Sequence, residues 1–395
     1  YENKVYKDGD TIEFEKEGVR RYTYLLSQFK ALKDIDNFTP QFPTYIKRKF
    51  EQEMEMSFET VEKLFTDLIS SPVRQDVAAI IKKRLGRDLM PFDIWYDGFK
   101  TRSMINEDEL SGKTRSIYPT AQAFDDDLPN ILTKLNFSSD QASYLGKHIE
   151  VDDARGAGHA WGAEMHSQMS HLRTRLPEGG MDYKGFNIAI HELGHNVEQT
   201  YSLYDIDHYL LNGVPNNAFT EAMAFIFQSR DLKILGRSVD DPDKEHLNVL
   251  DNFWSAYEIM GVALVDMKVW QWLYENPEAS PEQLKENVIR IAKEVWNKYY
   301  ADVFGVKDSE ILAVYSHQIS YPLYLPAYPI GKIIEFQLEN QIEGAGGEEA
   351  FGSEVERMCK IGRVLPQTWM QQATGSELSV QPFIEAAKKA AGELE

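Results

Sequence analysis

Cysteine is nearly missing from this 395-residue chain: Cys359 stands alone, so no internal disulfide can form and the redox compartment stays open. Long apolar runs are missing too, and no segment reads as a membrane span. Basic residues are scarce beside acidic ones, 42 Lys and Arg against 63 Asp and Glu, for a net charge of −21. That balance argues against nucleic acid or an anionic membrane surface as a partner, because both need basic patches. It fits a cleft that takes basic or amine-bearing ligands. There is no internal repeat and no low-complexity linker. The remaining composition, 43% hydrophobic and 27% charged, is that of a soluble globular protein with a sizeable core. The chain starts at Tyr1 without an initiator Met or leader, which suits a mature protein or, on the preferred reading, a fragment lacking upstream sequence. The compartment is left open between cytoplasmic and, after leader removal, periplasmic or secreted.

Most of the chain reads as helix. Ser71 as N-cap, Pro72 at the first helical position and Gly86 past the end bracket a helix over Val73–Leu85, with Val73, Val77, Ile80 and Ile81 on its buried face. Helices are also expected over 21–35, 58–69, 247–274, 281–299 and 354–358. Residues 86–119, with Pro91, Trp95 and Gly98, read as irregular connection. Residues 156–176 read as short extended segments followed by a turn at Pro177–Gly180, and Asp182 is placed to cap the next helix. Trp95, Trp161 and Trp369 are expected in the core, and His166 and His171 in structural roles.

That next helix carries His191-Glu192-Leu193-Gly194-His195. Four residues apart on a helix, two imidazoles lie one turn above each other on one face and can share a metal ion. The glutamate between them points about 100° away and can take the proton of a water at the open coordination position. The bland alternative is two histidines and a glutamate on a solvated helix face. A catalytic zinc site needs a third protein ligand. Glu221, 26 residues after His195 in Asn216-Asn217-Ala218-Phe219-Thr220-Glu221-Ala222, sits on a helix expected to start near Asn217, after the turn at Gly213-Val214-Pro215. A carboxylate in a first helical turn also has a purely electrostatic reason to be there. Glu198, Asp205 and His208 are rival ligands. Glu198, three residues past His195, is also placed to accept a hydrogen bond from a ligand imidazole.

His-Glu-Leu-Gly-His followed by Asn-Asn-Ala-Phe-Thr-Glu-Ala resembles the gluzincin zinc metallopeptidases. Within them it is most similar to the helical oligopeptidase group of thimet oligopeptidase, oligoendopeptidase F and angiotensin-converting enzyme. Gly158-His159-Ala160 resembles the edge strand these enzymes pair with substrate backbone. Tyr315–Leu338, with His317, Tyr321, Tyr324 and Tyr328, resembles their substrate-binding His/Tyr segment. Gly362, Arg363, Pro366, Trp369, Thr374, Gly375 and Pro382 resemble their helical tail. The likeness runs from about Asp152 to the end.

The resemblance implies one Zn²⁺ held by His191, His195 and Glu221, with Glu192 as general base. It implies His317, Tyr328 and Tyr324 as oxyanion donors, and His159, Ala160 and Tyr321 as contacts for an oligopeptide. Packing is the plain alternative for the His/Tyr cluster, although Pro322, Pro326 and Pro329 make its backbone irregular. Two positions depart from the angiotensin-converting-enzyme branch. Tyr315 replaces the lysine that clamps a terminal carboxylate, and Phe225 replaces the aspartate that supports a ligand histidine. The fold implied is a mainly α-helical zinc-peptidase fold with a deep cleft and a small edge β-sheet. Residues 1–150 would form the N-terminal helical part of the cleft and 151–395 the catalytic region, together one structural unit. The competing functional readings are a catalytically silent zinc-bearing peptide-binding protein and a metal-free helical interaction protein.

Overall fold

The computed structural model describes residues 5–12, 18–100, 105–154, 156, 158–237 and 241–394. Helices dominate, as expected, and two small sheets accompany them. Val73–Leu85, Phe58–Ile69 and Pro281–Tyr299 match the expected ranges. The first closes on Gly86 in the left-handed region at φ 67°, although no side chain caps its start, so Ser71 is not the cap expected. The stretch 86–119 is not all irregular. It holds the helix Glu107–Ile117, whose first turn is capped by the Asn106 side chain accepting from the amides of Asp108 and Glu109. That helix buries only Leu110 and Thr114, too few apolar positions to give a periodic signal. Helices Ala121–Lys134 and Ser139–Gly146 are likewise left unassigned by the sequence reading.

The three-stranded sheet places Ser170–Arg175 in the centre. It runs parallel to Ile149–Ala154 and antiparallel to the edge strand His159–Trp161, with Ala160 opposite Leu172. The central strand packs on the motif helix, Tyr183–Tyr204, and this approach uses bare backbone: a Cβ on Gly185 would lie 2.3 Å from the Arg175 carbonyl oxygen. Thr174 Oγ1 donates to the Gly185 carbonyl at 2.6 Å. Asp182 caps the motif helix as expected, accepting from the Gly185 amide at 2.8 Å.

The second helix, Asn217–Gln228, crosses the motif helix at Gly194, where an added Cβ would stand 2.7 Å from Ala224 Cα and 2.8 Å from the Met223 oxygen. On its other flank lies the third helix, Ala327–Ala345, through Gly331. A Cβ there would meet the Ala218 oxygen and Glu221 Cβ, both at 3.1 Å. Two glycines therefore let three helices close on Glu221. One continuous apolar cluster from Tyr22 to Ala391 surrounds them.

Of the three tryptophans expected in the core, only Trp369 is buried. Trp95 and Trp161 are 48% and 57% exposed. Trp161 lies on an edge strand with the Arg173 guanidinium 5.5 Å from its ring centre, and Trp95 Nε1 donates to the Tyr315 hydroxyl.

Gly194→Ala is expected to cost about 1–3 kcal/mol through overpacking against backbone that cannot rotate away. Gly112→Ala, in a helix interior with nothing within 4 Å, is expected to stabilise by about 0.5–1 kcal/mol. Thermal unfolding of the two variants checks both signs.

Candidate metal and catalytic site

The motif helix presents His191 and His195 with ring centres 4.9 Å apart, and the second helix brings Glu221 beside them. One donor atom from each of the three lies within 4.8 Å of the others, the one such group among the described residues that could hold a metal ion. His191 Nε2 is 3.7 Å from Glu221 Oε2. Glu192 and Glu221 are each 6% exposed, and His195 is 9% exposed.

Each imidazole has its other nitrogen engaged. His195 Nδ1 contacts Thr220 Oγ1 at 2.9 Å, and Thr220 in turn donates to Glu198 Oε2 at 2.9 Å. Ser202 donates to Glu198 Oε1 at 2.8 Å, so both Glu198 oxygens are used away from the His-His-Glu group. Glu198 therefore reaches His195 through a threonine, one atom further than expected. His191 Nδ1 contacts Gln228 Oε1 at 3.1 Å. The Phe225 ring lies 5.5 Å from His191, and Gln228, one turn on, supplies the polar support that Phe225 cannot. With Nδ1 acting as donor, each ring keeps its Nε2 lone pair for a cation.

The other rivals lie elsewhere. Asp205 accepts from the Tyr144 hydroxyl and pairs with Lys360, and His208 is exposed. His171 pairs with Asp152, and His166 contacts the Leu203 carbonyl, both in structural settings.

Burial decides the protonation. It pushes Glu192 up to about 8, with Glu221's charge adding to the effect and a hydrogen bond from the Ala160 amide opposing it. It raises Glu221 to about 7 against a hydrogen bond from Tyr324. His191 and His195 are driven down to about 4 and about 3, again first by burial. Near neutrality both imidazoles are thus uncharged, each with a single N–H, and the Glu192 carboxyl is mostly protonated.

The His/Tyr segment approaches from a turn before the third helix. Tyr324 donates to Glu221 Oε1 at 2.8 Å, which joins it directly to the His-His-Glu group. Tyr328 and His317 contact each other at 3.5 Å, and Tyr321, 57% exposed, lies 5.3 Å from the His317 ring. Burial depresses His317. Leu323 sits in this turn at φ 52°, a conformation few non-glycine residues adopt. Side chains from the amino-terminal part hold the turn: Gln28 donates to the Ile319 carbonyl at 2.6 Å and Tyr45 to the Pro322 carbonyl at 3.0 Å. Tyr315, at the departed lysine position, donates to Glu258.

The edge strand meets the site through Ala160, whose amide bonds Glu192, while the His159 side chain is exposed. Gly158, read as part of the edge strand, has a packing role that its sequence does not announce. A Cβ there would lie 2.3 Å from Ile188 Cγ2 and 3.3 Å from Glu192 Cγ, so the strand reaches the motif helix only without a side chain. Thr220 and Gln228 were also missed. Thr220 precedes Glu221, and Gln228 follows it by seven residues, two helical turns on, which is the one positional hint available.

No family model and no curated protein matches this chain. Solved structures do share its fold. A carboxypeptidase from Deinococcus radiodurans R1 is 16% identical with a TM-score of 0.54, the match covering 95% of this chain and 75% of that one. Trypanosoma cruzi metallocarboxypeptidase 1 is 13% identical, TM-score 0.57, with 94% and 78% covered. PZ peptidase A is 13% identical, TM-score 0.60, with 95% and 65% covered. The chain therefore has a helical metallopeptidase fold.

Because burial keeps the carboxyls protonated and the imidazoles uncharged at pH 6, zinc uptake by the metal-free protein is expected to release about one to two protons. Glu192→Gln is expected to bring that number toward one. Calorimetry in buffers of different ionisation enthalpy measures it, and a proton release that Glu192→Gln leaves unchanged contradicts the assignment.

Proposed function

We propose that this chain is a zinc-dependent metallopeptidase of the gluzincin type acting on oligopeptides. The observation that carries the reading is the convergence of two imidazoles and one carboxylate, from crossing helices, beside a buried second carboxyl. The residues fit a dication: both rings are tautomerically prepared, and the desolvation penalty on Glu192 and Glu221 is one that a double positive charge relieves. The peptidase names of the fold neighbours point the same way.

On this reading His191, His195 and Glu221 hold the metal. Zinc supplies a Lewis acid that polarises a peptide carbonyl and acidifies water. Glu192 takes the proton from the attacking water and returns it to the departing amine, a role its position beside Glu221 and under the edge strand suits. Tyr324, Tyr328 and His317 are the groups with O–H or N–H donors for the developing oxyanion. Ala160 and His159 on the edge strand would pair with extended peptide backbone, and exposed Tyr321 would flank it. Residues 1–150 would then complete the cleft around 151–395, through anchors such as Gln28 and Tyr45.

Glu192→Gln is expected to keep its zinc and lose about 10²–10⁴-fold in turnover of a short-peptide library. Equal cleavage by both proteins rules the base out. Wild-type protein that binds zinc and peptide but turns nothing over would instead support the silent, peptide-binding alternative. Tyr328→Phe is expected to lower turnover alone, and Tyr324→Phe to lower both turnover and zinc affinity, because only Tyr324 bonds a ligand carboxylate.

A further inference from the structure

The support of His191 does not stop at Gln228. Gln228 Nε2 donates to Asn187 Oδ1 at 2.8 Å, and Asn187 Nδ2 donates to Asp231 Oδ2 at 2.6 Å. The Tyr183 hydroxyl donates to the same Asp231 oxygen at 2.6 Å. Asn187 lies one turn before His191 on the motif helix. Gln228 ends the second helix, and Asp231, 6% exposed, opens the short helix Asp231–Ile234. A polar chain thus leads from imidazole to carboxylate through two amides.

Such a chain has a direction. A carboxylate only accepts, so Asn187 must turn its nitrogen toward Asp231 and present its oxygen to Gln228. Gln228 must then offer its nitrogen to Asn187 and its oxygen to His191. The neutral ring state that satisfies that oxygen carries its proton on Nδ1, which leaves the Nε2 lone pair on the side of Glu221. His195 has a shorter chain: a single hydroxyl separates it from Glu198.

We propose that Asp231 is a positioning residue that fixes the tautomer of His191 through the ordered Asn187–Gln228 amide relay, and so keeps Nε2 open to a metal ion. The last clause rests on the metal-site reading above. The tautomer itself does not. Two amides pass on orientation with little charge, so the relay prepares the ring without placing a carboxylate against it, where Phe225 stands.

Asp231→Asn gives the far end a group that can donate as well as accept, and the whole chain can then run in reverse, leaving the proton on Nε2. The test uses the full, metal-free chain with ¹⁵N-labelled histidine, the His191 signals being assigned by their loss in His191→Gln. Long-range proton–nitrogen correlation is expected to show only the Nδ1–H form in the wild type and a clear share of the Nε2–H form in Asp231→Asn. Zinc affinity, from chelator competition, is expected to fall about 10–100-fold in Asp231→Asn. In a Gln228→Leu background the same substitution is expected to change it by less than about twofold, since the relay is already cut. An unchanged tautomer in Asp231→Asn overturns the proposal, as does an equal loss of zinc affinity in both backgrounds. Should Asp231→Asn fail to fold, Asn187→Leu cuts the relay between the same two ends and must shift the tautomer likewise. A wild type that binds no zinc sinks the metal reading, while the nitrogen spectra still decide the relay.

Discussion

The crossing of two helices at Gly194 is the contact on which the site depends. It is close because one residue has no Cβ, and the atoms it meets are backbone atoms of Met223 and Ala224. From that crossing the second helix turns Glu221 toward His191, Thr220 toward His195 and, two turns beyond Glu221, Gln228 toward the far nitrogen of His191. Ligand candidates and their hydrogen-bonding supports thus come from the same pair of rods. Gly331 repeats the device on the opposite flank, where the third helix closes on Glu221.

The electrostatics follow from the packing. Four ionisable groups are buried together, and burial shifts each toward its neutral form, the carboxyls upward and the imidazoles downward. Lys332 bears on Glu221 and His191, but its ammonium sits 4.1 Å from the centre of the Phe225 ring and pairs with Glu335. On the proposed reading, a dication supplies the positive charge that Lys332 directs elsewhere.

Much of this was legible in the sequence where a short-range rule applied. The spacing of His191 and His195 placed both rings on one face, and Asp182 and Gly86 marked helix ends by local hydrogen bonding and backbone freedom. The helix Glu107–Ile117 was hidden because it buries too little to be periodic. Trp161 was assigned to the core because three residues of an edge strand do not reveal which side chains face solvent. The roles of Thr220 and Gln228, and the close packing at Gly158, were invisible for a different reason: they exist only between segments far apart in the chain. Glu198 was placed near the correct ring, yet its separation from it by one hydroxyl depends on the angle between two helices, which no spacing encodes.

The turn that bears Tyr324 is fastened on two sides. Gln28 and Tyr45 grip its carbonyls, while Tyr324 grips Glu221. The segment 317–324 is therefore tied at one end to the amino-terminal part and at the other to the carboxylate-bearing rod. Substituting either anchor would therefore bear on Glu221 from a distance, although neither touches it.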